Sequence, residues 1–167
     1  MAKPTKYATP ICLGLSVLAG IGILGSLIYT SPLIAIIALI PTVIYEIYRT
    51  EGKSTKISSL IIGIILLLEL ALIIFKIDID LTEFLGQESR TIAGYEVPLG
   101  TLTVVGPSVM AILSVILFVR TRGKYTKWLA VIIFVTSFAI IYGLDPETFG
   151  ELFKYGIQEV LDRVAYF

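Results

Sequence analysis

The sequence predicts an all-α integral membrane protein with five transmembrane helices and a C-terminal amphipathic helix. Three observations predict it. The 167 residues are 56% hydrophobic with mean hydropathy +0.92, and only 16% are charged. A soluble domain carries about 25% charged residues, so lipid is the implied solvent. The apolar residues fall into five runs, at about 10–29, 32–48, 57–76, 101–119 and 128–143. Each is near the length of roughly 20 residues that a bilayer core requires. The basic residues cluster in alternate connections rather than along one face. That pattern reads as topology and argues against nucleic-acid binding.

Residues 1–167 read as a single membrane domain. The first run follows Lys3 and Lys6. It is longer than a signal-peptide core of about 7–15 residues, and no small-x-small cleavage site follows it, so a retained span is expected. It is rich in small residues. Cys12, Ser16 and Gly20 recur every four positions and share a face on which a neighbouring helix can approach closely, within the chain or from a second copy.

Thr30-Ser31-Pro32 is too short for more than a tight turn, so the first two spans form an antiparallel hairpin. Pro41 in the second span deprives the Ile37 carbonyl of its helical partner and predicts a kink. Tyr29, Tyr45 and Tyr48 fit aromatic belts at the two interfaces. Glu46, near headgroup level, is expected to pair with Arg49 three residues on.

The third span, ISSLIIGIILLLELALIIF, contains Glu69. A carboxyl group in hydrocarbon must face something other than lipid. Glu69 falls about 4 Å to the outer side of the span's centre at 1.5 Å per residue. Its expected partner is a hydroxyl, another subunit, or a carbonyl freed near Pro41 or Pro107; ion coupling is the functional alternative.

The long connection 77–100 is expected to hold an interfacial helix at 80–85 and irregular chain at 94–100. In the fourth span Gly106-Pro107 predicts a second kink. Thr103, Pro107, Ala111 and Ser114 share a small, mildly polar face there, suited to helix packing or to lining a cavity together with Gly106 and Pro41. Trp128 and Tyr142 flank the fifth span. Asp145 and Pro146 then start an amphipathic helix over about 146–164, placed at the interface.

With the N-terminus in the cytoplasm, nine basic residues (at 3, 6, 49, 53, 56, 120, 122, 124 and 127) face inward against Glu46 and Glu51. Ten acids face outward against Lys76, Arg90, Lys154 and Arg163, giving about +7 inside and −6 outside. The positive-inside rule therefore expects a multi-pass cell-membrane protein, N-terminus in and C-terminus out. A four-span arrangement would put a basic loop on the wrong side.

With no histidine and Cys12 as the lone thiol, histidine-based acid–base chemistry and thiolate metal centres have no ligands. No aspartate pair lies in the spans, and no phosphate-binding glycine loop is present. No cofactor, metal or catalytic residue is expected. The expected role is a non-catalytic accessory or scaffold subunit, with lipid and other membrane subunits or a second copy as partners. The alternative is a small proton- or cation-coupled transporter or channel using Glu69.

Overall fold

The structure is a computed structural model that describes residues 6–77, 89–92, 95–98, 102–146 and 149–150. Five helices make the bundle: α1 (Ala8–Tyr29), α2 (Pro32–Arg49), α3 (Lys53–Phe75), α4 (Leu102–Arg120) and α5 (Lys124–Leu144). α1, α2, α3 and α5 are long and apolar enough to cross a membrane. Large apolar side chains face outward from the bundle: Ile28 on α1, Leu67 on α3 and Val119 on α4 are 75%, 61% and 73% exposed. Leaving so much aliphatic surface open is favourable only in a non-aqueous solvent.

Local chemistry ends each helix. Thr30 takes the left-handed conformation (φ 48°), and Ser31 N–H returns to the Ser26 carbonyl at 3.1 Å. Pro32 then occupies the first turn of α2, where its missing N–H costs nothing. The predicted hairpin follows from these two residues. α3 closes in the same way: Lys76 is left-handed (φ 50°), and the N–H groups of Lys76 and Ile77 reach Ile73 and Leu72 carbonyls at 3.3 and 3.0 Å. α4 and α5 are joined by residues 121–123 alone.

α2 and α5 lie at the centre. They pack on each other and both pack on α1, while α3 covers α2, α4 covers α5, and α3 and α4 pack together. Leu39, Ile62, Leu66, Met110, Leu129, Ile133 and Ile140 are among the side chains that fill the middle.

The close approach of α1 to α2 centres on Gly22. A Cβ there would overlap the Ala38 methyl and lie 3.6 Å from the Ala35 Cα. Of the expected packing face, two residues lie in contacts within the chain. Cys12 is fully buried, and Ser16 joins the seam to α5 by accepting from Trp128 Nε1 at 2.9 Å. Gly20 has open space where its Cβ would be. Within the chain the buried stripe of α1 runs Cys12, Ala19, Gly22, Ser26, so Gly20 lies beside this seam rather than on it.

Within 77–100 the backbone forms an antiparallel ribbon, β1 (Ser89–Ile92) with β2 (Tyr95–Pro98), in the register Ile92↔Tyr95. Residues 95–98 are thus a strand rather than irregular chain. Thr91, Ile92, Tyr95 and Val97 favour extended backbone, and a two-residue connection suits a hairpin. The expected helix at 80–85 lies outside the described residues, as does nearly all of the expected tail helix. The tail's start is described: Phe149 N–H bonds the Asp145 carbonyl at 3.1 Å. The Phe149 ring packs edge-on against Phe138 and Tyr142 of α5, with centroids 6.2 and 5.4 Å away.

Candidate functional site: two buried carboxyl groups on α3

The buried face of α3 carries Ser59, Ile62, Leu66, Glu69 and Leu72, at helical steps of three and four. These positions face α2 and α4, so a polar residue on this stripe is removed from lipid and water alike. Glu69 is 1% exposed, covered by its own chain. Neither carboxyl oxygen has a hydrogen-bond partner among the described residues. Its direct neighbour is the backbone of α4 at Gly106. A Cβ on Gly106 would overlap Oε1 and lie 2.7 Å from Cδ and 3.0 Å from Cγ. Glycine is required there by space, because any side chain would occupy the volume of the carboxyl group.

Gly106 and Pro107 therefore act together differently from the expected kink alone. Pro107 is buried and α4 continues through it, while Gly106 opens the pocket for the acid. Proline removes one backbone donor, so the Thr103 carbonyl lacks its helical partner. Of the two proline-freed carbonyls, only this one belongs to the helix that Glu69 packs against. Thr103 lies in the first turn of α4.

Pro41 is exposed on the outward side of α2, beside Ile37, which is 51% exposed. It lines no part of this site, which corrects its proposed cavity role. Pro41 falls on the lipid side because the inward stripe of α2 is Leu39, Thr42, Val43 and Glu46. Ser114 is buried at the α4–α5 seam, two turns from Gly106, and donates to the Ala111 carbonyl at 2.6 Å. It borders a shallow apolar groove with Val115, Phe118, Ala130, Val131 and Phe134 rather than the Glu69 pocket.

The second carboxyl group is Glu46, also 1% exposed. The expected pair with Arg49 does not form. Glu46 points between α2 and α3, where Oε1 accepts from Thr50 Oγ1 and from Ser59 Oγ, the latter at 2.9 Å. Arg49 points the other way, its guanidinium 4.8 Å above the Tyr125 ring and Nη1 3.4 Å from Tyr45 Oη. Three residues along a helix turn the chain by about 300°, which places these two side chains on different seams of a closely packed bundle. Among the described residues Glu46 Oε2 has no partner, and neither has the Thr42 hydroxyl one turn back, which is 0% exposed.

Sequence reasoning missed Glu46 as a buried group. The signal was present: Leu39, Thr42, Val43, Glu46 and Thr50 form one continuous helical stripe. No group of three or more histidine, cysteine, aspartate or glutamate side chains converges among the described residues. Each acid thus offers a single carboxyl group, Glu46 with two hydroxyl donors and Glu69 with none among the described residues.

No protein-family model matches the chain, and no curated protein or solved structure is significantly similar to it.

Proposed function

We propose that this chain is a small five-span membrane protein that handles protons through Glu69. A single observation carries the reading: a carboxyl group covered by its own chain, with both oxygens unpartnered among the described residues, in a pocket that only glycine at 106 allows. An acid retained in the core of a membrane bundle without a structural partner is costly, and acids so placed mark proton or ion pathways. The donor set favours a proton over a hard cation. A calcium-like ion takes six to eight oxygens and magnesium six, whereas a proton needs one carboxyl group.

In this reading α4, the fourth helix in chain order, also crosses the membrane, making five spans. Its 19 residues measure roughly 28 Å at 1.5 Å per residue, close to the roughly 30 Å hydrocarbon core. Five spans place the basic connections in the cytoplasm and the β ribbon and tail outside. Glu69 then sits slightly to the outer side of the membrane centre.

Reconstitution into liposomes with a trapped pH-sensitive dye tests the proposal. Wild type is expected to dissipate an imposed pH gradient faster than protein-free vesicles, and Glu69→Gln is expected to lose that activity while remaining folded. Equal rates in wild type and empty vesicles overturn it. The accessory-subunit role is then the better account, and crosslinking in native membranes identifies the partner.

A further inference from the structure

We infer that Glu46, held by Thr50 and Ser59 with Thr42 one turn back, is a second proton-binding site at the inner end of the bundle. It is separated from Glu69 by an apolar block. Two independent observations point to it. Glu46 Oε1 is fixed by two hydroxyl donors, so the carboxyl group is positioned rather than merely buried. Its other oxygen, Oε2, and the Thr42 hydroxyl are both buried and, among the described residues, unpartnered. They lie on one face of α2, four residues apart, where side chains are about 5–6 Å from each other. An acidic proton on Oε2 would have a hydroxyl acceptor within reach, directly or through one water molecule.

The surroundings leave Glu46 as the group that can exchange. On α2, Arg49 and Tyr45 turn toward Tyr125 of α5. On α3, Lys53 and Lys56 are solvent-exposed, and the nearest polar group is Ser59 itself. On α1, Cys12 is fully buried. No ion pair joins Glu46 to any of these among the described residues.

Access is short at one end and closed at the other. Thr50 ends α2, and Glu51 to Ser54 beyond it are exposed, so inner solvent begins about one turn from Glu46. Toward Glu69 the same α3 stripe carries Ile62 and Leu66, 0% and 2% exposed. Ser59 and Glu69 are ten residues apart, roughly 15 Å along the helix. The layout is an inner acid, a dry block and an outer acid. The Glu46 carboxylate takes one proton from inner water and returns to carboxylate on passing it on. This coupling rests on the proton-handling reading of Glu69, whereas protonation of Glu46 can be measured without it.

The test combines infrared titration of the carboxylic C=O absorption with the liposome assay, on wild type, Glu46→Gln, Glu69→Gln and Thr42→Val. Glutamine keeps an acceptor for Thr50 and Ser59, so a merely structural role is rescued in Glu46→Gln, while a proton-carrying role is not. Expected are a titrating C=O component lost in Glu46→Gln and retained in Glu69→Gln, its shift in Thr42→Val, and loss of flux in folded Glu46→Gln. If Glu46→Gln transports like wild type while Glu69→Gln does not, the second site is overturned and the Glu69 reading stands. If wild type carries no flux, the Glu69 reading falls. The C=O component then decides alone: its absence, or its persistence in Glu46→Gln, overturns the Glu46 site. Should Glu46→Gln fail to fold, the Thr42→Val shift decides, and an unmoved component overturns the site.

Discussion

Glu46 and Glu69 are equally hidden, each 1% exposed on the seam that α3 makes with its neighbours, yet they meet opposite surroundings. Glu46 receives two hydroxyl donors from two helices. Glu69 receives none among the described residues and lies against bare backbone at Gly106. Burial alone therefore says little about what an acid does. The first is tied into the fold, while the second is tolerated by it, and a group without structural partners is the freer to change protonation state. In stability terms the two should respond to mutation with different magnitudes and, in places, different signs.

The largest effect is expected at the Glu69 pocket wall. Gly106→Leu places a side chain in the carboxyl group's volume and should destabilise the bundle by on the order of 3 kcal/mol. Combining it with Glu69→Ala should recover much of that loss, because the clash is shared by the two positions. Thermal unfolding in detergent of both single variants and the double variant measures the coupling; additive losses would place Glu69 elsewhere.

Replacing each acid by methionine sharpens the contrast. Glu46→Met leaves the Thr50 and Ser59 hydroxyls without their shared acceptor and should cost about 2 kcal/mol. Glu69→Met removes a buried polar group that has no partner, so it should be neutral or stabilising. Equal losses in the same unfolding assay would erase the distinction between the two sites.

A smaller effect is expected from Ser59→Ala, about 1 kcal/mol, the ordinary contribution of one buried hydrogen bond. The single Ser59 hydroxyl proton is shared between Glu46 Oε1 and the Thr55 carbonyl 3.0 Å away, so one donated hydrogen bond is lost. The smallest belongs to Glu69→Gln, which keeps the side chain's shape and should shift stability by less than about 1 kcal/mol. A large loss there would reveal a structural bond to Glu69 and weaken the proton reading.

Much of this arrangement was legible in the residues. Hydropathy and length located the helices, because each apolar run is bounded by turn or charged residues. Thr30-Ser31-Pro32 was readable as a hairpin, since proline suits the first turn of a helix and little else fits so short a link. Glu69 stood out as one acid among aliphatic neighbours. Glu46 did not, because near a helix end an acid three residues before an arginine looks like a surface pair. The fate of Gly106 was half legible: Gly-Pro signalled irregular backbone, but the pocket it opens depends on which helix lies opposite. Gly20 and Gly22 make the same point on α1. Spacing by fours selects the former, and packing against Ala35 and Ala38 selects the latter.

By itself the sequence determined the apolar helices, the tight link between the first two, and the candidacy of Glu69. These depend on hydrophobicity and local backbone chemistry, both of which act over a few residues. Only the tertiary structure decided that Glu46 turns inward, that Pro41 turns outward and that Gly106 meets a carboxyl group. Those outcomes depend on the rotation of each helix about its axis, which is fixed by neighbours far away in the chain.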